Sequence, residues 1–260
     1  MARGYVSLVL GLAVCLGLHS LEAQDEINTD RPDLSSTVVP KGRLQVENGL
    51  AWTSDNGGAT LDGIETVIRL GLITSGELRV GLPDYYGYWE HNATLGFTDF
   101  LLSWKQQFTR DSASFQLSVA PGLSLPTGSH GRTSGGIDPQ LGVAWSKSID
   151  SRWSTSGVQY AYYATGSGRH FLQGETVIAI ERDLNRTTKA YIEYQGYYGH
   201  FGSAEMIELG ASYKKGPNRQ WDFLFGMGVD RGTAEVSVGA GFSFRMAGIW
   251  KRTRASRSDP

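Results

Sequence analysis

Apolar and polar residues alternate one by one through most of the chain, in runs of about ten separated by turn-forming residues. In one run Trp221, Phe223, Phe225, Met227 and Val229 alternate with Gln220, Asp222, Leu224, Gly226 and Gly228. In the last, Val236, Val238, Ala240, Phe242 and Phe244 alternate with Glu235, Ser237, Gly239, Gly241 and Ser243, and Arg245-Met246 closes it. A period of two marks a strand whose two faces meet different surroundings. The pattern predicts twelve strands. The first six are Arg43–Thr53, Asp62–Ile73, Gly76–Leu82, Gly96–Phe108, Ala113–Leu125 and Gln140–Ile149. Then come Trp153–Tyr163, Phe171–Arg182, Thr188–Tyr198, Glu205–Lys214 and the two runs just described. Their length suits a tilted membrane strand of roughly 9–11 residues. A bilayer admits only helices or closed barrels, and short alternating runs with polar punctuation are the sequence mark of the latter. The expected fold class is all-β: a single transmembrane antiparallel β-barrel of about 12 strands over residues 43–246.

The connections differ in length. After the even strands they are tight: Thr74-Ser75, Thr109–Ser112, Asp150–Arg152, Asp183–Arg186 and Gly216-Pro217-Asn218. After the odd strands most are longer: Ser54–Leu61, Pro83–Leu95, Pro126–Pro139, Ala164–His170 and Gly199–Ala204, with Asp230–Ala234 short. Outer-membrane barrels carry short periplasmic turns and longer external loops. Both termini are therefore expected in the periplasm and the protein in the bacterial outer membrane. A soluble β-sandwich has no reason to sort its connections this way.

The chain ends read differently. Met1–Ala23 has the form of a cleaved signal peptide: Arg3, an apolar core Val6–Leu18, and Leu21-Glu22-Ala23 at the cleavage site. That core is too short to span a bilayer as a helix. Cys15, the one cysteine, lies within it, so the mature chain is expected to have neither disulfide nor thiol chemistry. Gln24–Gly42 precedes the barrel, and Pro32 and Pro40 keep it out of helix and ladder. It reads either as a periplasmic leader or as a plug whose Asp30, Arg31, Pro32 and Asp33 enter the lumen. Ala247–Pro260, with Lys251, Arg252, Arg254 and Arg257, has no apolar period and reads as a basic disordered tail.

Composition agrees. The 34 glycines are roughly twice average usage, as turns and crowded barrel positions require. Net charge is −2, which implies no nucleic-acid partner. Mean hydropathy of −0.26 excludes a polytopic helical membrane protein.

If the apolar set faces lipid, the alternates face inward. They are Glu47, Glu65, Arg69, Glu77, Arg79, Glu175, Glu181, Lys189, Glu193, Glu208, Asp222, Glu235 and Arg245, nine acidic and four basic. A Lys or Arg facing mid-membrane lipid costs about 2–4 kcal/mol, which favours the inward assignment. Such a lumen is either an acidic path favouring cationic or neutral solutes or a salt-bridge network that fills the interior. Twelve strands fall between the eight that leave room only for side chains and the sixteen or so that leave a water channel. Tyr85, Tyr86, Trp89, Tyr197 and Tyr198 form either a vestibule for an aromatic solute or part of the interfacial girdle.

No catalytic set emerges. His91, His130, His170 and His200 all fall in external loops, and Ser129-His130 is adjacent in sequence, which is poor geometry for a nucleophile and its base. No pair of histidines has metal-ligand spacing, and no ATP or energy-coupling motif is present. No cofactor or metal is expected. The expected partners are outer-membrane lipid and a small hydrophobic solute, with the oligomeric state left open.

Several segments together resemble a family. They are Thr29-Asp30-Arg31-Pro32-Asp33, the stretch Val39–Glu47, Glu77-Leu78-Arg79-Val80-Gly81, Leu125-Pro126-Thr127-Gly128, Glu193-Tyr194 and the closing Gly239–Arg245. From about Asn28 to Met246 the chain resembles the outer-membrane transporters of the MetA-pathway phenol-degradation family. The resemblance implies an outer-membrane barrel passing hydrophobic or aromatic compounds, and with no energy-coupling motif in the sequence the passage is expected to be passive. Two rival readings are a structural or sensory surface barrel with a sealed lumen and a membrane-embedded hydrolase. The chain departs from the usual ending of such barrels, because residues continue past the last-strand aromatic Phe244.

Overall fold

The computed structural model describes residues 26–31, 34–54, 57–89, 93–200, 202–229, 236–246 and 248. The expected signal peptide, Pro32, Asp33, Glu235 and the basic tail after Met246 lie outside the described residues, apart from Gly248. Among the described residues fourteen strands occur. They are β1 (Leu44–Ser54), β2 (Ala59–Ile73), β3 (Gly76–Leu82), β4 (Tyr85–Trp89), β5 (Ala93–Phe97), β6 (Phe100–Gln107) and β7 (Phe115–Leu125). They continue as β8 (Asp138–Ser148), β9 (Trp153–Gly166), β10 (Arg169–Asp183), β11 (Thr188–Gly199), β12 (Gly202–Lys214), β13 (Arg219–Gly228) and β14 (Val236–Met246).

Every neighbouring pair is antiparallel, and β1 pairs both with β2 and with β14, so the sheet closes. The wall has twelve strands because β3 with β4, and β5 with β6, are halves of two broken strands. Leu82 pairs with Thr66 of β2, and Tyr85 pairs with Gly63 three residues on along the same strand. Pro83 has no N–H to donate and breaks the ladder between them. Across the break Thr98 N–H donates to the Asp84 carbonyl at 3.0 Å. Closure removes every open edge, the one solution for strands in lipid.

The burial pattern is inverted relative to a soluble protein. Lys105 is 0% exposed and Leu172 is 71% exposed. Gln45, Glu47, Arg69 and Glu77 are buried, whereas Leu50, Phe108, Phe115, Leu209 and Phe223 are exposed. Alternating faces place the polar set on the inside, where other polar groups and the N-terminal segment cover it, and the apolar set where lipid would cover it.

Several boundaries differ from the sequence reading. The expected loop Pro83–Leu95 is mostly the β4–β5 hairpin, and the expected fourth strand Gly96–Phe108 is divided between the end of β5 and β6 by a break at Thr98-Asp99. The expected loop Ala164–His170 shrinks to Ser167-Gly168, with φ of 51° and 73°. Positive φ at both central residues is the hairpin turn that matches strand twist, so β9 and β10 pair up to Gly166 and Arg169. The loop asymmetry therefore lies mainly in protruding strands and in residues 126–137. One face is also reversed. In β9 the sequence places Val158, Tyr160 and Tyr162 toward lipid, but Val158 is buried inside with Leu34, Ala120, Ala144 and Val177, and Tyr160 packs on that cluster. The Tyr162 hydroxyl donates to Glu175 at 2.6 Å. An inner apolar floor and a satisfied phenol invert the usual sorting.

Both barrel ends of the chain meet at the tight-turn end, where Leu44 pairs with Met246. A charge on the outer face tests the lipid-facing assignment. Leu209→Arg, near mid-strand, is expected to destabilise the barrel by about 2–4 kcal/mol, and Leu184→Arg, in the turn after β10, by about 0–1 kcal/mol. Equilibrium unfolding from lipid vesicles measures both.

Candidate functional site

Residues 26–31 and 34–42 lie inside the barrel. The segment enters at the tight-turn end, where Ile27 N–H donates to the Pro217 carbonyl at 2.8 Å and the Lys214 ammonium lies 3.1 Å from the Glu26 carboxylate. It then climbs the β1 wall. Gln45 donates to the Asn28 carbonyl at 2.8 Å, Asp30 N–H donates to Glu47 at 2.9 Å, and the Arg31 guanidinium lies against Gly49. The return limb runs past β8, β7 and β6. Ser36 Oγ meets Ser146 Oγ at 2.7 Å, and Val38 N–H donates to Gln107 at 3.0 Å. It rejoins β1 beside β2, where Gly42 N–H donates to the Gly71 carbonyl at 2.7 Å. A Cβ on Gly71 would come within 2.3 Å of the Val39 and Pro40 carbonyls, so only glycine lets the segment lie that close to the wall.

Asp30 is the centre of the site. Its Oδ1 is 2.7 Å from Lys105 Nζ and 3.1 Å from Arg69 Nη1, and its Oδ2 is 2.9 Å from Arg79 Nη2. Arg69 also lies 2.7 Å from Glu47 and grips Glu77 with two bonds of 2.8 and 3.0 Å. Glu77 in turn accepts Val39 N–H at 2.5 Å. Three cations face three carboxylates, and all six side chains are buried. Burial alone would raise the Asp30 carboxyl, but Arg69, Lys105 and Arg79 outweigh it and hold the group well below the usual carboxylate range. The segment thus supplies one charge and two backbone donors that the wall alone lacks.

Arg31, one residue on, lies along the wall over β1 and β14. Its Nη1 is 2.9 Å from Glu65 on β2 and its Nε is 3.2 Å from Asp222 on β13. Two cavities adjoin it. One, of about 280 Å³, lies toward the tight-turn end and is lined by Ser36, Ser146, Ser156, Glu181, Lys189 and Glu193 among others. The second, of about 290 Å³, lies toward the loop end, with Glu65, Val67, Leu82, Asp84, Asp99 and Leu101 in its lining.

The remaining residues singled out in the sequence fall as follows. Glu181 pairs with Lys189 and accepts the Ser156 hydroxyl at 2.5 Å. Glu175 accepts from Tyr162 and from Gln195 at 2.9 Å, Glu193 and Glu208 are buried, and Arg245 donates to Gln45 at 2.9 Å. Tyr85, Trp89, Tyr197 and Tyr198 are exposed on β4 and β11, and the Arg132 guanidinium lies over the Tyr86 ring at 4.3 Å. Ser129 Oγ accepts Phe97 N–H at 2.9 Å, and His170 stacks on Tyr163. Lys105, Gln45, Gln107 and Gln220 were not singled out. All stand at inward alternates of their strands, so the same period of two identifies them. Asp62, Glu65 and Asp84 have carboxylate oxygens within 4.8 Å of one another, a spacing that could hold a cation, although Glu65 already engages Arg31. Asp84 arrives there through the strand break, which alternation does not signal.

The Asp30 anchor makes its own contribution to the pH dependence of the seat. A depressed carboxyl pKa stabilises the seated segment fully above about 3.9, the ordinary carboxylate value, and that stability is lost only as pH falls through the lower seated value. Protease accessibility of residues 26–41 is therefore expected to stay unchanged from pH 7 to about pH 4. Asp30→Asn leaves three buried cations against two carboxylates and is expected to cost about 3–5 kcal/mol in denaturant unfolding.

Comparisons with known proteins fit this geometry. The family model described as "Putative MetA-pathway of phenol degradation" matches residues 29–246. The COG4313 outer membrane channel from Pseudomonas putida F1 is similar in fold, with a TM-score of 0.65 at 11% identity, covering 81% of this chain and 98% of that one. The NanC porin is similar with a TM-score of 0.55 at 11% identity, covering 78% of this chain and 100% of that one. No curated protein sequence matches the chain.

Proposed function

The chain belongs to the MetA-pathway phenol-degradation family, and on that footing we propose that it is an outer-membrane channel passing small hydrophobic or aromatic compounds by passive diffusion. The observation that carries this reading is the pair of chambers of about 280 and 290 Å³ stacked on either side of Arg31. Each is near the roughly 300 Å³ lower limit of pockets that hold drug-sized ligands, which favours small molecules over oligomers. In the loop-end chamber Val67, Leu82 and Leu101 supply apolar wall beside Glu65, Asp84 and Asp99. That mixture suits neutral or cationic solutes with an apolar body. The exposed Tyr85, Trp89, Tyr197 and Tyr198 stand at the same end and fit a vestibule, an interfacial girdle or both. The shared tight-turn end of both barrel termini supports a periplasmic location for them.

The seated segment favours one rival, a surface barrel with a sealed lumen. Planar-bilayer recording and solute-uptake assays in proteoliposomes separate the two. A channel gives small unitary currents and admits small aromatic solutes faster than sugars. A barrel with neither current nor uptake, in wild type and in Asp30→Asn alike, would sink the channel reading.

A further inference from the structure

Arg31 occupies a place that the rest of the plug residues do not. Among the described residues it alone lines both chambers. Its guanidinium spans from β2 to β13, held by Glu65 on one side and Asp222 on the other. The wall behind it is cut away. Gly49 of β1 and Gly241 of β14 are register partners, and a Cβ on Gly49 would fall 1.8 Å from Arg31 Nη1. A Cβ on Gly241 would fall 2.5 Å from Arg31 Nε. Two facing glycines thus form a niche shaped to the guanidinium. Asp30, by contrast, faces a closed set of buried partners and borders only the loop-end chamber.

From this we propose that Arg31 is the specificity-determining residue of the passage: its side chain is the partition between the two chambers, and its charge decides which solutes cross. The inference rests on the channel reading above. The two residues divide the work. Asp30 anchors the segment, and Arg31 can leave its niche without unseating it, because rotation about a flexible side chain breaks only two ion pairs. Glu65 is the looser partner, with its side chain 43% exposed against 2% for Asp222. Movement away from Glu65 joins the chambers through the gap beside β2. Among the described groups, Arg31 and its two partners bring one cation against two carboxylates to the neck. Charged rings at a constriction set ion selectivity, so removing the guanidinium leaves two uncompensated carboxylates and makes the neck strongly cation-selective. Replacing Glu65 instead balances the neck and shifts it toward anions.

The test is single-channel recording of full-length refolded protein in planar bilayers under a potassium chloride gradient, with heat-modifiable gel mobility verifying each fold. Arg31→Ala is expected to raise conductance severalfold and move the reversal potential toward cation selectivity. Glu65→Gln is expected to move it toward anions. Gly49→Ala evicts the guanidinium but keeps its charge, so conductance should change while the cation shift of Arg31→Ala is absent. Arg31→Gln serves if the alanine variant fails to fold. If Asp30→Asn or wild type conducts and the Arg31 variants match wild type in conductance and reversal potential, this proposal is overturned and the channel reading stands. If no variant conducts, the channel reading itself fails.

Discussion

A buried carboxylate, Asp30, draws Arg69, Arg79 and Lys105 to one point inside the barrel, and Glu47 and Glu77 complete a set of three cations and three anions. Most of the architecture follows from keeping that set satisfied. Ions taken out of water cost several kcal/mol each unless paired and hydrogen-bonded. Lipid offers them no partner, so they must point inward. An empty lumen would leave Arg69 and Lys105 short of a carboxylate and Glu47 and Glu77 short of backbone donors. The segment that brings Asp30 is therefore part of the interior in the same sense that a core side chain is part of a soluble protein. Its sequence and those of the strands are matched to each other.

The wall is shaped to accept it. Gly71 clears the Val39 and Pro40 carbonyls, Gly142 makes room for Leu34, and Gly49 with Gly241 clears Arg31. Val158 and Val177 turn inward to give Leu34 an apolar floor. Glycine abundance in this chain therefore serves more than turns: it lets a second layer of chain fit inside a barrel of only twelve strands. Within the lumen two small chambers adjoin Arg31. A passage of this kind is defined by a few side chains rather than by the barrel's diameter.

Strand existence and facing were legible because the period of two is imposed by a single physical contrast, lipid against a polar interior. Lys105 and Gln45 obey it as fully as Glu47 does. Legibility failed where that contrast is suspended. In β9 the inserted Leu34 supplies an apolar interior, so Val158 and Tyr160 face inward with their register partners Ala144 and Gly142 of β8 and Val177 and Glu175 of β10. At Pro83-Asp84 the chain continues as a hairpin beyond a break, and a loop-like composition conceals two further short strands. Ser167-Gly168 contains turn residues that suit both a loop and a two-residue hairpin, and pairing between the flanking strands decides. Which wall partners Asp30 and Arg31 choose depends on register around a closed sheet, which no local pattern contains.

Membership of the MetA-pathway phenol-degradation family and the fold of outer-membrane barrels place the chain in a class where the interior decides the activity. The central claim is that residues 26–31 and 34–42 sit inside the barrel, packed on the strands opposite their entry point. The most direct measurement is a cysteine pair at Ser36 and Ser146, whose hydroxyl oxygens meet at 2.7 Å, so that thiols at the same positions would be brought together. In the folded protein with Ser36→Cys and Ser146→Cys, mild oxidation is predicted to give a reductant-reversible mobility shift and a linked peptide joining the segment to β8. Free thiols at both positions in a heat-modifiable, correctly folded barrel would contradict the account.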